Sequence, residues 1–330
     1  MDCSAGSENR FVMRKEFGIF GIFILLCLIL SVSNPRFLSV ANLQNTARLV
    51  GIFGIFSIGI GIVIITRGID LSVGSVFALL GVLMSFMLVN GHWPWPLAVL
   101  TVLLIGFAIG LFQGSLIAKL KIQPFIVTLC GLLLFRGMAR FIAKDATVGF
   151  GYAEGFQSLQ SMATGNILGV PMPFVFLVGI GTLAWVFLHR SVYGRYLFAI
   201  GRNEEASRYS GINTDRITIL AYVISGVLAS ISGILLAFYT NAIAPSSHGS
   251  FYELYGIAAA VLGGCSLNGG EGSILGIVIG AALLQVLQNL VNLLGIPSSL
   301  NFAVMGTVIL IGVIADRYLK KMAEGRRYGY

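Results

Sequence analysis

Four ionisable side chains stand inside or at the edge of apolar stretches of this 330-residue chain: Asp70, Arg136, Arg140 and Glu253. Charge in such a setting is costly and marks a place where a polar solute or a buried partner is met. Asp70 lies in the run Arg67-Gly68-Ile69-Asp70-Leu71-Ser72-Val73-Gly74-Ser75. Gly68 can turn the chain there, and Asp70, backed by Ser72, can cap the following helix. The alternative is a broken helix that offers backbone and carboxylate to a polar substrate. Arg136 and Arg140 are one turn apart and share a helix face. Arg140 can snorkel outward, whereas Arg136 lies deeper, with Glu253 as its expected partner. Gln113, Gln285, Gln288, Asn289 and Asn292 add neutral polar groups, which suit a hydroxyl-rich solute or plain interhelical hydrogen bonding. Gln44 and Asn45 face a pore or belong to an interfacial helix over 40–49.

No catalytic constellation accompanies these groups. His92, His189 and His248 are far apart and all fall in connections, so they are given no metal or catalytic role. Cys3, Cys27, Cys130 and Cys265 form no C-x-x-C pair and read as small buried hydrophobes. There is no G-x-x-x-x-G-K-[ST], so the chain has no phosphate-binding loop of that kind. The run Gly263-Gly264-Cys265-Ser266-Leu267-Asn268-Gly269-Gly270-Glu271-Gly272 lacks the lysine such a loop needs and reads as a sharp turn between two packed spans. Gly149-Phe150-Gly151 and Gly155 loosely match a dinucleotide fingerprint, but no βαβ unit surrounds them. No cofactor is expected.

The elements that must hold these residues are membrane helices. The chain is 57% hydrophobic and 10% charged, against about 25% charged in a soluble protein. It reads as an all-α polytopic membrane protein. A span needs about 20 mostly apolar residues, and ten stretches qualify: 17–33, 49–66, 71–90, 95–118, 124–143, 172–189, 217–240, 251–266, 273–294 and 300–316. The eighth is short and carries Glu253 near its start. Asn34-Pro35-Arg36 follows the first stretch without a small-x-small cleavage site, so it reads as a retained span. Gly106, Gly110 and Gly114, like Gly272, Gly276 and Gly280, line one helix face each and let another backbone approach, or open a groove.

Ten crossings place both termini on one side. Sixteen of the 21 Lys and Arg residues then share that side, and Arg36, Arg48, Arg136, Arg140 and Lys144 lie toward the other. The positive-inside rule makes the basic side cytoplasmic and accounts for the net charge of +8 without nucleic acid. The expected organisation is a cytoplasmic tail over 1–16, one membrane domain over 17–316 and a basic cytoplasmic tail over 317–330. Loop 190–216 is cytoplasmic and loop 144–171 periplasmic.

The cytoplasmic loop holds the stretch Gly201 to Ile212. Asn203 can cap a helix, Glu204 and Glu205 fall in its first turn, and Gly211 can end it in a left-handed conformation. This spacing predicts a helix of about two turns that serves as a docking foot or as a plain solvated loop helix.

With these residues in place, nearly the whole chain resembles the permease subunit of bacterial ABC importers for monosaccharides, the ribose-type group. Thr66 to Ser75 is similar to the family's junction between second and third spans. Pro124-Phe125-Ile126-Val127-Thr128-Leu129 with Phe135-Arg136-Gly137 is similar to its fifth span. Gly194-Arg195, Ala199-Ile200-Gly201, Asn203-Glu204 and Ser210-Gly211-Ile212-Asn213 resemble its coupling loop. Tyr252-Glu253-Leu254, Ile257-Ala258-Ala259 and Val261-Leu262-Gly263-Gly264 resemble its eighth-span motif. Such permeases often carry Gly where Arg202 stands, and an acidic and a small residue where Tyr255 and Gly256 stand.

The resemblance implies a multi-pass protein of the bacterial inner membrane that translocates a small sugar. Its partners would be ATP-binding subunits, a periplasmic sugar-binding protein and a second permease, identical or paralogous, within membrane lipid. ATP would be bound by the partner, and the chain itself would not be an enzyme. Glu204, Glu205, Ala206, Arg208 and Gly211 would form the ATPase-coupling helix. Asn45, Asp70, Ser72, Gln113, Arg136 and Glu253 are the candidates for the translocation pathway. An ion-coupled secondary transporter is the rival reading; it would need carboxylates or broken helices placed for ion binding, with inverted repeats, whereas only Asp70 and Glu253 are available and the two halves show no convincing repeat.

Overall fold

The computed structural model describes residues 20–32, 34–151 and 154–297, together with the single positions 18, 300, 303, 306, 307 and 310. Helices make up about three quarters of it. Among the described residues, seven are long and apolar enough to cross a membrane. They are α2 (Val40–Ile65), α3 (Val73–Ser85, continued by a π turn to Asn90), α4 (Trp95–Leu120), α5 (Pro124–Ala143), α7 (Met172–Arg190), α10 (Thr214–Thr240) and α12 (Ile274–Leu293). Two shorter apolar helices are α1 (Phe20–Val32) and α11 (Tyr252–Leu262). The remaining short helices are α6 (Gln157–Thr164), α8 (Val192–Arg202) and α9 (Glu204–Tyr209).

Helix α2 is the axis of the bundle. From Leu49 onward it is apolar on every side, and a helix of that kind must be enclosed. It packs against α10, α7, α11 and α12. Ser39 caps its start by accepting from Asn42 N. The polar stretch over 40–49 is therefore the first part of α2 and not a separate interfacial helix, because nothing in it interrupts the backbone ladder. Near the middle, Phe53 and Phe56 meet Phe77 of α3 and Tyr252 and Tyr255 of α11, with ring centroids 4.7–6.3 Å apart. Tyr255 is buried in this cluster.

The eighth expected span, 251–266, corresponds to an 11-residue helix. At about 1.5 Å per residue it reaches only about half of a ~30 Å hydrocarbon layer. The chain before it, from Asn241 to Phe251, runs in turns. The tenth expected span, 300–316, lies outside the described residues apart from isolated positions.

Both glycine ladders are packing surfaces. Side chains at Gly106, Gly110 and Gly114 would collide with Gly226, Ser230, Tyr222, Val223 and Ile219 of α10. At Gly276 and Gly280 they would collide with the backbone of Gly263 and Ala259. The turn over 263–272 thus joins two helices in close contact, and Gly264, Gly269 and Gly270 take positive φ there. By contrast α4, α5 and α7 leave apolar faces uncovered, including Leu104, Leu133, Phe141 and Leu183. Cys130 lies exposed on α5, not buried as its apolar run suggested; Cys27 is half-buried and Cys265 buried.

The 144–171 segment is pinned to the bundle. Val148 pairs with Ile243, and Phe150 stacks on Phe238 of α10 with centroids 4.0 Å apart. After α6, a short antiparallel pair (Asn166–Ile167 with Val170–Pro171) leads into α7. Arg48 of α2 reaches it through the Thr164 carbonyl at 2.9 Å.

Candidate functional site

Two groups of polar residues are built by this bundle. The first sits where α2 ends, α4 ends and α10 begins. Asn203 caps α9, its side chain accepting from Ala206 N at 2.9 Å. Gly211 follows the helix with φ +85°. The predicted two-turn helix is thus a six-residue one with the expected start and stop. Its flank is held by charge: Glu204 accepts from Lys121 at 3.0 Å and from Arg208 at 3.1 Å. Asp215, in the first turn of α10, accepts from the same two cations at 2.9 and 3.1 Å. Thr214 joins this network by accepting from Arg208 at 3.0 Å.

Burial alone would pull the Lys121 ammonium down, but hydrogen bonds and charge from Asp215 and Glu204 outweigh it and hold it above the ordinary lysine value. Each pair is about half exposed, so each contributes only about 0.2–1 kcal/mol. Together they fix the angle of α9 against α4 and α10.

The coupling candidates therefore divide. Glu204 and Arg208 are occupied within the chain, whereas Glu205 and Ala206 are exposed and make no ion pair among the described residues. Tyr209 projects with 91% of its surface exposed. Lys121 and Asp215 were missed by the sequence reading, since each looks like any charge at the end of a span.

The second group lies around the α2–α3 junction. Asp70 is 3% exposed. One carboxylate oxygen accepts from Ser72 N at 3.0 Å and from Ser72 Oγ at 2.7 Å, and the other from Ser225 Oγ of α10 at 2.9 Å. Ser72 Oγ also lies 3.3 Å from Gln113 Oε1, while Gln113 Nε2 has no partner among the described residues. One hydroxyl proton cannot serve both acceptors. Turning the Gln113 amide over resolves this, giving a relay from Gln113 to Ser72 to Asp70. Gly131 of α5 leaves the room that the Gln113 amide fills. Tyr222 OH donates to the carbonyl of Ile69 at 3.3 Å, while Thr128 Oγ1 lies 3.1 Å from that carbonyl and 2.9 Å from the Pro124 carbonyl. Asp70 thus bonds Ser72 ahead of α3 and also ties α3 to α10.

Of the six pathway candidates, Asp70, Ser72 and Gln113 come together. Glu253 is close by, its Oε2 packed on Gly74 in the first turn of α3 and without a hydrogen-bond partner among the described residues. Arg136 attracts it through charge but makes no close ion pair with it among the described residues. Its Nη1 donates to the carbonyls of Pro245 at 3.1 Å and His248 at 2.6 Å, in the turns that precede α11. Those carbonyls have no helical partner, and Arg136 supplies one. Asn45 lies at the opposite end of α2, where it accepts from Tyr239 OH at 3.0 Å. Asn289 likewise exchanges hydrogen bonds with Asn42 at 2.7 and 3.2 Å, an interhelical tie. Among the described residues no group of His, Cys, Asp and Glu could hold a metal ion.

Residues 42–313 match the family described as branched-chain amino acid transport system / permease component. The chain is 38% identical to the ribose import permease protein of Haemophilus influenzae, covering 94% of this chain and 95% of that one. It is 40% identical to the ribose import permease protein of Bacillus subtilis, covering 93% and 94%. Against the xylose transport system permease protein of Escherichia coli it is 32% identical, covering 97% and 100%. No solved structure gives a significant match. A bundle of apolar helices and full-length likeness to these proteins lead to one conclusion: the chain belongs to the permease-component family of ABC importers and is a multi-pass protein of the inner membrane.

Proposed function

We propose that this chain is the membrane-spanning subunit of an ATP-driven importer of a monosaccharide, a ribose-like pentose, a hexose or a related small sugar. A separate ATPase subunit drives it, a periplasmic binding protein feeds it, and a second permease subunit, identical or paralogous, completes the pore. The relatives named for ribose and xylose support the sugar. The distribution of Lys and Arg supports ten crossings with 1–16, 190–216 and 317–330 in the cytoplasm and 144–171 in the periplasm.

Helix α9 is the observation that carries the reading. It is a short polar helix, capped at Asn203, stopped at Gly211 and braced from behind by Lys121, Arg208 and Asp215. Bracing of that kind suits a part that must receive a push without bending. In this reading Glu205, Ala206 and Tyr209 meet the ATPase, while Glu204, Arg208 and Gly211 set the helix in place. Asp70, Ser72 and Gln113 lie beside the pathway and connect the helices that border it, with Glu253 next to them. Arg136 holds the broken segment before α11, and Asn45 marks the periplasmic end.

The test is assembly with the co-encoded ATPase. Glu205→Lys combined with Tyr209→Ala should leave membrane insertion intact and reduce co-purification of the ATPase at least about tenfold. Undiminished co-purification together with normal ATP hydrolysis would refute the role given to α9.

A further inference from the structure

Arg67 occupies a junction that neither the coupling helix nor the Asp70 group accounts for. It follows α2 directly, in a left-handed conformation with φ 64°. Its guanidinium bridges two distant parts of the chain. Nε donates to the carbonyl of Asn268 at 2.7 Å, and Nη2 to the carbonyl of Arg202 at 2.7 Å. Arg202 is the last residue of α8 and stands immediately before the cap of α9. Carbonyls at a helix C-terminus have no partner of their own and carry the negative end of the dipole, so a guanidinium suits them. Asn268 lies in the glycine turn between α11 and α12.

Backbone contacts reinforce the same junction. Gly270 N donates to the Ile65 carbonyl at 2.9 Å. A side chain at Gly201 would strike Ile65 and Gly270, and one at Gly269 would strike Arg67 itself. Three segments thus meet closely around the Arg67 side chain: the end of the central helix, the end of α8 just before the foot, and the turn of the α11–α12 pair.

We infer that Arg67 is a positioning residue that makes these three segments move as one body, passing displacement of α9 into α2 and the α11–α12 turn. A fork with two donors fits the task because it holds both carbonyls at a fixed separation, which a single ammonium does not. The inference rests on the proposed ATP-driven function, and the experiment separates the two.

The wild-type permease is reconstituted in proteoliposomes with its ATPase and binding protein, using radiolabelled D-ribose, D-xylose and D-fructose as probes. Arg67→Ala and Arg67→Lys are compared with it for complex assembly, thermal unfolding, basal ATP hydrolysis and sugar taken up per ATP hydrolysed. Arg67→Ala should keep the ATPase bound and hydrolysing at a basal rate within about twofold of wild type, with sugar per ATP falling at least about tenfold. Arg67→Lys should recover part of that ratio. An unchanged ratio in Arg67→Ala overturns the inference. So does loss of the ATPase from both variants, which would make Arg67 a folding or docking residue. Absence of ATP-dependent uptake in the wild type with all three sugars would instead count against the proposed function.

Discussion

The hydroxyl of Ser225 donates to the carboxylate of Asp70 at 2.9 Å, tying the middle of α10 to the junction of α2 and α3. Both residues are almost fully buried, so the bond is made away from water and the carboxylate has no other solvent to turn to. Ser225→Ala leaves one Asp70 oxygen unpaired and should cost about 1–3 kcal/mol. The fall in thermal stability in detergent measures it. Asp70→Asn should be better tolerated than Asp70→Leu, which strands both Ser72 and Ser225. Equal stability for Asp70→Leu and wild type would contradict this assignment.

The glycine ladder of α4 makes a second, sharper expectation. A methyl group at Gly110 would enter the backbone of Tyr222 and Val223, so Gly110→Ala should destabilise by about 1–3 kcal/mol through overpacking. Gly137 on α5 has open space around it. Gly137→Ala should not destabilise the permease chain and should raise its stability by up to about 1 kcal/mol, through helix propensity. Differential scanning fluorimetry on the two variants side by side gives the comparison.

The brace behind α9 predicts a response to pH and salt. Lys121 titrates above its ordinary value because Asp215 and Glu204 together outweigh the effect of burial. For a group raised in the folded state, the contribution is complete below the unfolded value of 10.5 and is lost as pH rises through the higher folded one. A spin label in place of Tyr209 should therefore show constant mobility from about pH 7 up to the ordinary lysine value of 10.5 and loosen only above it. About 1 M salt should loosen it at every pH. Lys121→Gln should remove the alkaline step; its persistence there would assign it to another group.

Glu204 and Glu205 are neighbours in sequence with different duties. Glu204→Lys places a cation beside Lys121 and Arg208 and should free α9, seen as higher label mobility at Tyr209 in the isolated permease. Glu205→Lys should leave that mobility unchanged and act only when the ATPase is present. Identical behaviour of the two variants would show that the brace does not distinguish them.

Much of this was legible before any coordinates. Apolar length located the seven long helices, since hydrocarbon thickness sets a minimum that few other structures imitate. Asn203 and Gly211 announced the ends of α9 through cap chemistry, which is local. What failed was non-local. Nothing near Arg136 says that its acceptors are the carbonyls of Pro245 and His248, because an arginine reads the same whether it meets a carboxylate or a broken backbone. The run 251–266 looked like a short span because its apolar content hides where the helix begins. Lys121 and Asp215 carry no pattern that sets them apart from other charges at span ends. Tyr255 reads in the sequence like any aromatic near the end of a span, and only its packing on Phe53 identifies it as core.

In the proposed mechanism a separate ATPase moves the permease through α9. Uptake of labelled D-ribose, D-xylose and D-fructose into proteoliposomes containing the permease, its ATPase and its binding protein tests it most directly. Uptake of at least one sugar should require ATP hydrolysis, continue when proton and sodium gradients are collapsed by ionophores, and stop when the ATPase is left out. Uptake that proceeds without the ATPase and follows either ion gradient would contradict it.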